Sequence, residues 1–223
     1  MVSPDGSPSR AVLWDLDGTL ADSSAFHWRS WQAALVDEDV AITEADFRAT
    51  FGQRNDEILS VWLGPDASME RIRRVGEAKE VAYRSFVREA GITPLPGAAE
   101  WVRALHEQGW RQAIASSAPR RNIEVMHGAL SFAGLIDTLV GAEDVKAGKP
   151  DPEVFLVAAD RLGVPPLRCV VVEDAEAGIE AARRARMSSI GVGGDAVGAA
   201  DMVVQSLADL PPDAFERLVG SAT

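Results

Sequence analysis

The sequence predicts an α/β fold: a doubly wound, Rossmann-like parallel-sheet core with a small all-α cap domain inserted into it. Three observations predict this fold. Short, uniformly apolar runs recur along the chain, helical patterns separate them, and the segment 22–95 has helical patterns without a convincing strand pattern. Runs that are apolar throughout are typical of strands covered on both faces. Strands that alternate with helices favour a parallel sheet that binds ligands at the carboxyl ends of its strands.

Six apolar runs are the predicted strands. They are 11–14, 112–115, 139–140, 169–172, 190–192 and 202–204. The first run leads directly into Asp15, as expected for a buried strand that ends in a loop. The single cysteine, Cys169, begins the fourth run, and we interpret it as a small buried hydrophobic side chain rather than a catalytic thiol.

Helical patterns lie between the predicted strands. Segment 152–162 carries a periodic apolar stripe, with Pro152 suited to its first turn and Gly163 to its C-terminal end. Segment 98–108 shows a second such pattern and ends at Gly109. Both segments are therefore predicted helices that cover the sheet.

The segment 22–95 interrupts this alternation. Its longest helical pattern begins after Ser68 and stops at Gly91, and the proline-containing linker ITPLPG follows. The predicted domains are a core of 1–21 and 96–223, with 1–9 as a flexible tail, and a helical cap of 22–95. Because the insertion directly follows the first strand, we expect the cap to lie over the carboxyl end of that strand.

Composition and charge exclude several classes of protein. The chain has 223 residues and a formal net charge of −12, and an acidic surface argues against binding nucleic acid or anionic membranes, which requires clustered Lys and Arg. No stretch approaches the ~18–20 apolar residues of a membrane span, and the N-terminal ten residues lack the apolar segment of a signal peptide. We therefore expect a cytoplasmic protein. Because the chain is acidic overall, we also expect any phosphate site to carry its own local positive charge. A monomer is favoured.

Four polar clusters each follow a predicted strand. They are Asp15 to Thr19, Ser116-Ser117, Lys149 within GKPDP, and Glu173-Asp174. In a parallel sheet the carboxyl ends of the strands share one edge, so residues far apart in sequence are expected to converge there.

The residue types in these clusters suit phosphoryl transfer. Asp15, Glu173 and Asp174 would place three carboxylates together, which is costly without a cation, and oxygen ligands favour Mg²⁺. Lys149 adds a positive charge and Ser116 a hydroxyl donor. Together they could hold a phosphoryl group while one oxygen of Asp15 attacks phosphorus.

Asp17 completes the predicted chemistry, because it could protonate the leaving oxygen and then activate water. Gly18 allows a tight backbone turn beside the anion. A calcium-binding loop does not fit, since position 19 is Thr and no Glu follows at the required distance. The structural alternatives are a strand end and helix caps for the carboxylates and ordinary loop positions for Ser116 and Lys149. The presence of all four clusters favours catalysis.

These residues carry a resemblance to the haloacid dehalogenase superfamily, specifically to its β-phosphoglucomutase-like and sugar-phosphatase branch with a helical cap. The matching segments are DLDGTLADS at 15–23, ASSAPR at 115–120, KAGKPDPEVF at 146–155 and VVEDAEAGIEAA at 171–182. They occur in the family's order and span nearly the whole core.

The resemblance implies a role for each matching position. Asp15 would be the nucleophile that forms an aspartyl-phosphate, and Asp17 the general acid/base. Ser116, helped by backbone N–H groups near Ser117, would bind the phosphoryl oxygens, and Lys149 would stabilise negative charge.

The resemblance also implies a Mg²⁺ site. Asp15, Asp174 and the backbone carbonyl of Asp17 would bind the ion, and Glu173 would bind it directly or support the other ligands. Dehalogenases of the superfamily lack the second acid of the first motif, so Asp17 favours phosphoryl transfer.

Two parts of the predicted cap are candidate substrate contacts. His27 shares a helix face with Trp31 and could pack there, but related mutases place a histidine near the active site, which favours a substrate contact.

The second part is the segment 50–59, which resembles the family's substrate-specificity loop, with Gly52 as its pivot. Mutases have a lysine just before that glycine and an arginine three residues after it to bind a sugar's second phosphate. This chain has Phe51 and Asn55 instead, and Arg54 is the nearest cation.

The sequence therefore predicts a Mg²⁺-dependent phosphatase of a small phosphorylated metabolite, such as a sugar or polyol phosphate. The alternative is a sugar phosphomutase of the β-phosphoglucomutase type, which Phe51 and Asn55 disfavour. A more remote alternative is a non-catalytic phosphate-binding or phospho-switch module, which Asp17 disfavours.

Overall fold

A computed structural model describes residues 9–50 and 53–220 of the chain. Residues 1–8, which make up most of the predicted tail, lie outside the described residues, as do Phe51 and Gly52. The chain divides into two compact units, one formed by the residues up to Asp22 and from Thr93 onward, the other by Ser23–Ile92. The second unit lies inside the segment 22–95 that the sequence predicts as the cap.

The first unit is built on a parallel sheet, and the predicted α/β fold is confirmed. Within the described residues its strands are β1 (Ala11–Trp14), β2 (Arg111–Ala115), β3 (Thr138–Val140), β4 (Cys169–Glu173), β5 (Ser188–Val192) and β6 (Met202–Val204). Their order in the sheet is β3-β2-β1-β4-β5-β6, and every neighbouring pair is parallel. The first strand therefore lies in the middle, between β2 and β4.

Helices cover both faces of this sheet. They are α5 (Ala98–Glu107), α6 (Arg120–Ala129), α7 (Glu153–Leu162), α8 (Glu176–Arg184) and α9 (Ala214–Gly220). The apolar side of α7 packs with Leu13 and Val171 in one buried cluster. Trp14 points to the other face, where its ring lies edge-on to Phe215 of α9, with ring centroids 5.9 Å apart. Burial on both faces explains why the strand sequences are apolar throughout.

Three side chains inside the core carry polar or reactive groups. The Trp14 Nε1–H donates to Gln112 Oε1 (2.9 Å), and Gln112 Nε2 in turn donates to the Val102 carbonyl (2.8 Å), so these buried groups are hydrogen-bonded as burial requires. Cys169 is buried, and burial raises the pKa of its thiol to about 12. A protonated thiol is a poor nucleophile, which agrees with the structural interpretation of this cysteine.

The second unit is helical. Its α-helices are α1 (Ser24–Leu35), α2 (Glu44–Thr50), α3 (Asn55–Trp62) and α4 (Met69–Ala90). The predicted ends of α4 are confirmed: the Ser68 hydroxyl accepts the Arg71 N–H at 3.2 Å, and Gly91 follows with φ +72°. Its small core centres on Trp31, Leu59 and Val75. Among the described helices, none is long and apolar enough to cross a membrane.

Candidate active site

Asp15 lies at the centre of the carboxyl edge of the sheet. The residue before it, Trp14, pairs with Ile114 of β2 on one side and with Val172 of β4 on the other. The Asp15 N–H donates to the Val172 carbonyl at 2.9 Å, so the strand geometry continues to this residue. The loops that follow β2 and β4 therefore begin on either side of the Asp15 carboxylate.

Lys149 joins Asp15 to β4. Its Nζ lies 2.5 Å from Asp15 Oδ1 and 2.5 Å from Glu173 Oε1, and its side chain is 7% exposed. Burial by itself would lower the pKa of Lys149, but the charges of both carboxylates outweigh it, and the pKa is raised above its ordinary value. The ammonium group is therefore a permanent positive charge in the site.

Three carboxylates meet around this lysine. Asp15, Glu173 and Asp174 each offer an oxygen, and these oxygens all lie within 4.8 Å of one another. Burial raises the pKa of Asp15 well above its ordinary value, Lys149 opposes the rise, and the negative charges of Glu173 and Asp174 add to it. The pKa of Asp174 is raised to about 7, chiefly by burial and then by Glu173. Ionisation of all three carboxylates would therefore place more negative charge here than Lys149 neutralises.

This donor set fits a hard divalent cation. Its ligand atoms are all carboxylate oxygens, which Mg²⁺ prefers, and the raised pKa values of Asp15 and Asp174 indicate that positive charge is needed there. Both carboxylate oxygens of Glu173 already accept hydrogen bonds: Oε1 accepts from Lys149, and Oε2 accepts the Ala175 N–H at 2.9 Å. Asp15 and Asp174 are therefore the better candidates for direct ligands.

Glycines allow the backbone to approach these carboxylates. Gly18 has φ +90°, and a Cβ atom at this position would lie 2.0 Å from Asp174 Oδ2. A Cβ at Gly178, on α8, would lie 1.9 Å from Glu173 Oε1. The sequence analysis singled out Gly18 but not Gly178, because the need for a small residue there arises only from packing against β4.

Ser116 lies at the end of β2. It is 3% exposed, its N–H donates to the Val140 carbonyl (3.1 Å), and its Oγ accepts the Ala118 N–H (3.1 Å). The next residue, Ser117, is exposed. The loop is thus fixed at the same sheet edge as Asp15, and phosphoryl binding by Ser116 and Ser117 stays a prediction.

Asp17 lies in a tight turn after β1. The Gly18 N–H donates to the Ala21 carbonyl at 2.9 Å, and Asp17 and Ala21 form an isolated bridge. Asp17 is half-buried, and its negative charge makes a small contribution to the raised pKa of Asp174. Its roles as acid/base and as a carbonyl ligand remain predictions.

The helical unit contains a buried polar cluster that includes His27. Lys79 is 3% exposed, and its Nζ lies 3.0 Å from His27 Nδ1 and 2.8 Å from Glu80 Oε1. The His27 ring stacks on Tyr83, with centroids 4.3 Å apart. His27 therefore has packing and hydrogen-bonding partners within its own unit, and its contact with substrate stays a prediction.

The predicted specificity loop is described in part. Gly52 lies outside the described residues. Asn55 begins α3, and its Nδ2 donates to Glu80 Oε1 at 2.6 Å. Arg54 is exposed, with its Nε 3.3 Å from Asp56 Oδ1. Local sequence gave no signal for the contact of Asn55 with Glu80, because the two residues are far apart in the chain.

The fold and the acidic edge together define a family. A family model for haloacid dehalogenase-like hydrolases matches residues 9–186, and the chain belongs to this family. The resemblance drawn from the four motifs is thereby confirmed.

Individual relatives include both phosphatases and mutases. Over 181 residues the chain is 31% identical to hexitol phosphatase B of Escherichia coli strain K12, covering 81% of this chain and 82% of that protein. It is 30% identical to β-phosphoglucomutase of Bacillus subtilis strain 168 over 210 residues, covering 90% and 91%. A crystal structure of β-phosphoglucomutase from Clostridium difficile aligns with a TM-score of 0.84 and 28% identity, over 95% of this chain and 97% of that one.

Proposed function

We propose that this protein is a Mg²⁺-dependent phosphatase that hydrolyses a small sugar or polyol phosphate through an aspartyl-phosphate on Asp15. The observation that carries the proposal is the buried group at the sheet edge, where Asp15 contacts Lys149 at 2.5 Å and lies among the carboxylates of Glu173 and Asp174. In this group a carboxylate that can act as the nucleophile lies beside positive charge that can neutralise a phosphoryl group.

In the first half-reaction, an oxygen of Asp15 forms a bond to phosphorus while the bond from phosphorus to the ester oxygen breaks. Asp17 donates a proton to that leaving oxygen, so that it departs as an alcohol. Ser116 and the backbone N–H groups near Ser117 hold the phosphoryl oxygens, and Lys149 balances the negative charge.

In the second half-reaction, Asp17 removes a proton from a water molecule as that water attacks phosphorus. The bond from phosphorus to Asp15 breaks, which releases inorganic phosphate and restores the carboxylate. Mg²⁺ held by Asp15, Asp174 and the Asp17 carbonyl would add positive charge at the phosphoryl oxygens.

The helical unit supports hydrolysis over phosphomutase chemistry. Where the mutase pattern has an arginine, this chain has Asn55, whose amide donates to the buried carboxylate of Glu80. An amide bound in this way offers no positive charge to a sugar's second phosphate. We propose His27, Gly52, Arg54 and Asn55 as the part of the chain that selects the substrate.

The distribution of products separates the two functions. With β-glucose 1-phosphate as substrate, we expect the enzyme to release inorganic phosphate and free glucose, because water is the proposed acceptor. A coupled assay for glucose 6-phosphate and a phosphate assay would be run on the same samples, with Asp15→Asn as the blank. Glucose 6-phosphate as the main product would instead establish the mutase.

The proposed mechanism also predicts that activity depends on the metal. After chelation, turnover of p-nitrophenyl phosphate should fall by about 10³-fold, since a bound cation supplies several kcal/mol of transition-state stabilisation. Added Mg²⁺ should also raise the melting temperature, because binding relieves repulsion among the carboxylates.

The variant Asp174→Asn is the control for that stabilisation and should show a smaller Mg²⁺-dependent rise in melting temperature. Undiminished turnover in chelator would contradict a metal-dependent mechanism. An equal rise in Asp174→Asn would place the ion elsewhere.

A further inference from the structure

The loop that follows β3 contains a carboxylate with three donors. Asp144 accepts the Gly141 N–H at 2.9 Å and Arg120 Nη1 at 3.1 Å, and it also accepts a hydrogen bond from Arg161 Nη2. Both arginines donate in addition to the Leu139 carbonyl, each at 2.8 Å. Asp144 is therefore the centre of a network that joins β3 to two helices.

Those two helices follow the segments that are proposed to hold phosphate. Arg120 is the first residue of α6, which comes directly after the Ser116–Ser117 loop. Arg161 lies in the last turn of α7, and the first turn of that helix follows the segment that carries Lys149. A single carboxylate thus ties the two helices that follow the serine loop and the lysine segment to the same strand.

The loops themselves are also in direct contact. The Ala142 N–H donates to the Ala118 carbonyl at 3.0 Å, and Glu143 Oε2 accepts the Arg120 N–H at 2.7 Å. A Cβ on Gly141 would lie 2.9 Å from Ile123 Cδ1 and 3.1 Å from the Ala118 oxygen, so a larger residue would fit only if these neighbours shifted slightly.

The lysine segment is anchored at its other end as well. Glu153, in the first turn of α7, accepts the N–H groups of Lys146 and Ala147 at 2.6 and 3.3 Å. The path from Asp144 to Lys149 is therefore held by hydrogen bonds on both sides, which limits how far Lys149 can move relative to Asp15.

Asp144 keeps its charge throughout the range of an enzyme assay. Partial burial by itself would raise its pKa, but hydrogen bonds from Arg161, the Gly141 N–H and Arg120 outweigh it and lower the pKa to about 2. Its contribution to stability is therefore present above the ordinary pKa of 3.8 and is lost as the pH falls towards about 2. Glu124 and Glu143 are the acidic groups that face Arg120 in this network.

We infer that Asp144 is a positioning residue for the phosphoryl site, which it serves by fixing the serine loop and the lysine segment against each other through Arg120 and Arg161. It does not touch the reacting atoms; its effect passes through Ser116 and Lys149. The inference rests on the proposed function, because it assigns a purpose to the alignment of those two groups.

The test compares Asp144→Asn with Asp137→Asn. Asp137 precedes β3, at its opposite end, and makes the same kind of contacts: Arg111 Nε lies 3.0 Å from its Oδ1, and its Oδ2 accepts the Gln112 N–H at 2.8 Å. Both substitutions remove a negative charge that pairs with arginine, with two arginines at Asp144 and one at Asp137, and both weaken an acceptor of a backbone N–H. Asp137 is therefore a matched control for a structural role.

For Asp144→Asn we expect kcat/KM for p-nitrophenyl phosphate to fall about 10- to 100-fold, since small misplacements of catalytic groups have effects of this size. The inhibition constant of inorganic phosphate should rise with it. For Asp137→Asn we expect a comparable drop in melting temperature without a change in either constant. Below about pH 4, the wild type should lose stability faster than Asp144→Asn as the pH approaches the lowered pKa of about 2.

Equal kinetic effects in the two variants, or a wild-type inhibition constant in Asp144→Asn, would overturn the inference while leaving the phosphatase intact. A wild-type protein without phosphatase activity would remove the proposed function and this inference with it. If Asp144→Asn does not fold, Arg120→Gln serves in its place, with the exposed neighbour Arg121→Gln as control. Only the former should weaken inhibition by phosphate, and equal constants would overturn the inference.

Discussion

Replacement of Asp15 by asparagine should abolish the hydrolysis of phosphate esters and leave the protein folded. Asparagine has nearly the same shape as aspartate but lacks the anionic oxygen that attacks phosphorus. Loss of a covalent nucleophile typically lowers kcat by about 10⁵- to 10⁶-fold. The measurement is the turnover of p-nitrophenyl phosphate at saturating Mg²⁺, together with intact-mass detection of a phosphorylated protein during turnover.

The same substitution should not lower the melting temperature in metal-free buffer. It removes one of the three carboxylates that repel one another, and Lys149 keeps its contact with Glu173 at 2.5 Å. Active-site groups that are selected for chemistry commonly cost stability. Asp160→Asn, an exposed position of α7, is the control and should leave activity unchanged. Turnover or phosphorylation of Asp15→Asn at the wild-type level would exclude Asp15 as the nucleophile.

Replacement of Lys149 by methionine should damage both stability and activity. Methionine replaces most of the apolar stem of the side chain but leaves Asp15 and Glu173 buried without their cation. Removal of one partner from a buried ion pair costs about 3–5 kcal/mol, and loss of a group that stabilises developing charge lowers kcat by about 10²- to 10³-fold. Urea unfolding and steady-state kinetics measure the two effects.

The loss of stability in Lys149→Met should depend on pH with a definite sign. Lys149 opposes the rise in the pKa of Asp15, so its removal raises that pKa further and favours the protonated acid in the folded protein. A raised pKa in the folded state stabilises below the unfolded pKa and loses that contribution as the pH rises. The variant should therefore be less impaired in mildly acidic buffer than at neutral pH.

Lys146→Met is the matched control for this effect, because that lysine is exposed and lies in the same segment. It should behave as the wild type in both measurements. A stability loss in Lys149→Met that is small and independent of pH would show that the ammonium group does not neutralise the buried carboxylates.

Most of the core fold was predictable from local sequence. Because the strands of a covered parallel sheet are apolar on both faces, β1 and β4 are recognisable without any knowledge of their neighbours. Helix ends such as Ser68 and Gly91 were predictable for a similar reason, since capping is decided by one residue and its nearest turn.

The parts of the site that escaped prediction are contacts between distant segments. Asp144 bonds to Arg120 and Arg161, and Asn55 to Glu80, over separations at which no periodic or motif signal exists. Gly178 is close to Glu173 in the sequence, but only the packing of the Glu173 side chain against it requires a residue without a Cβ. These contacts, and the requirement for glycine at position 178, arise only when the elements pack together.

The sequence by itself determined which chemical groups the protein possesses and where they stand relative to the strands: an aspartate after β1, a serine after β2, a lysine after β3 and two acids after β4. The tertiary structure alone decided how those groups affect one another. Burial and distances of a few ångströms raise the pKa of Asp174 to about 7 and hold Lys149 against two carboxylates. Electrostatic energies depend on solvent exposure and separation, and a linear pattern of residues specifies neither.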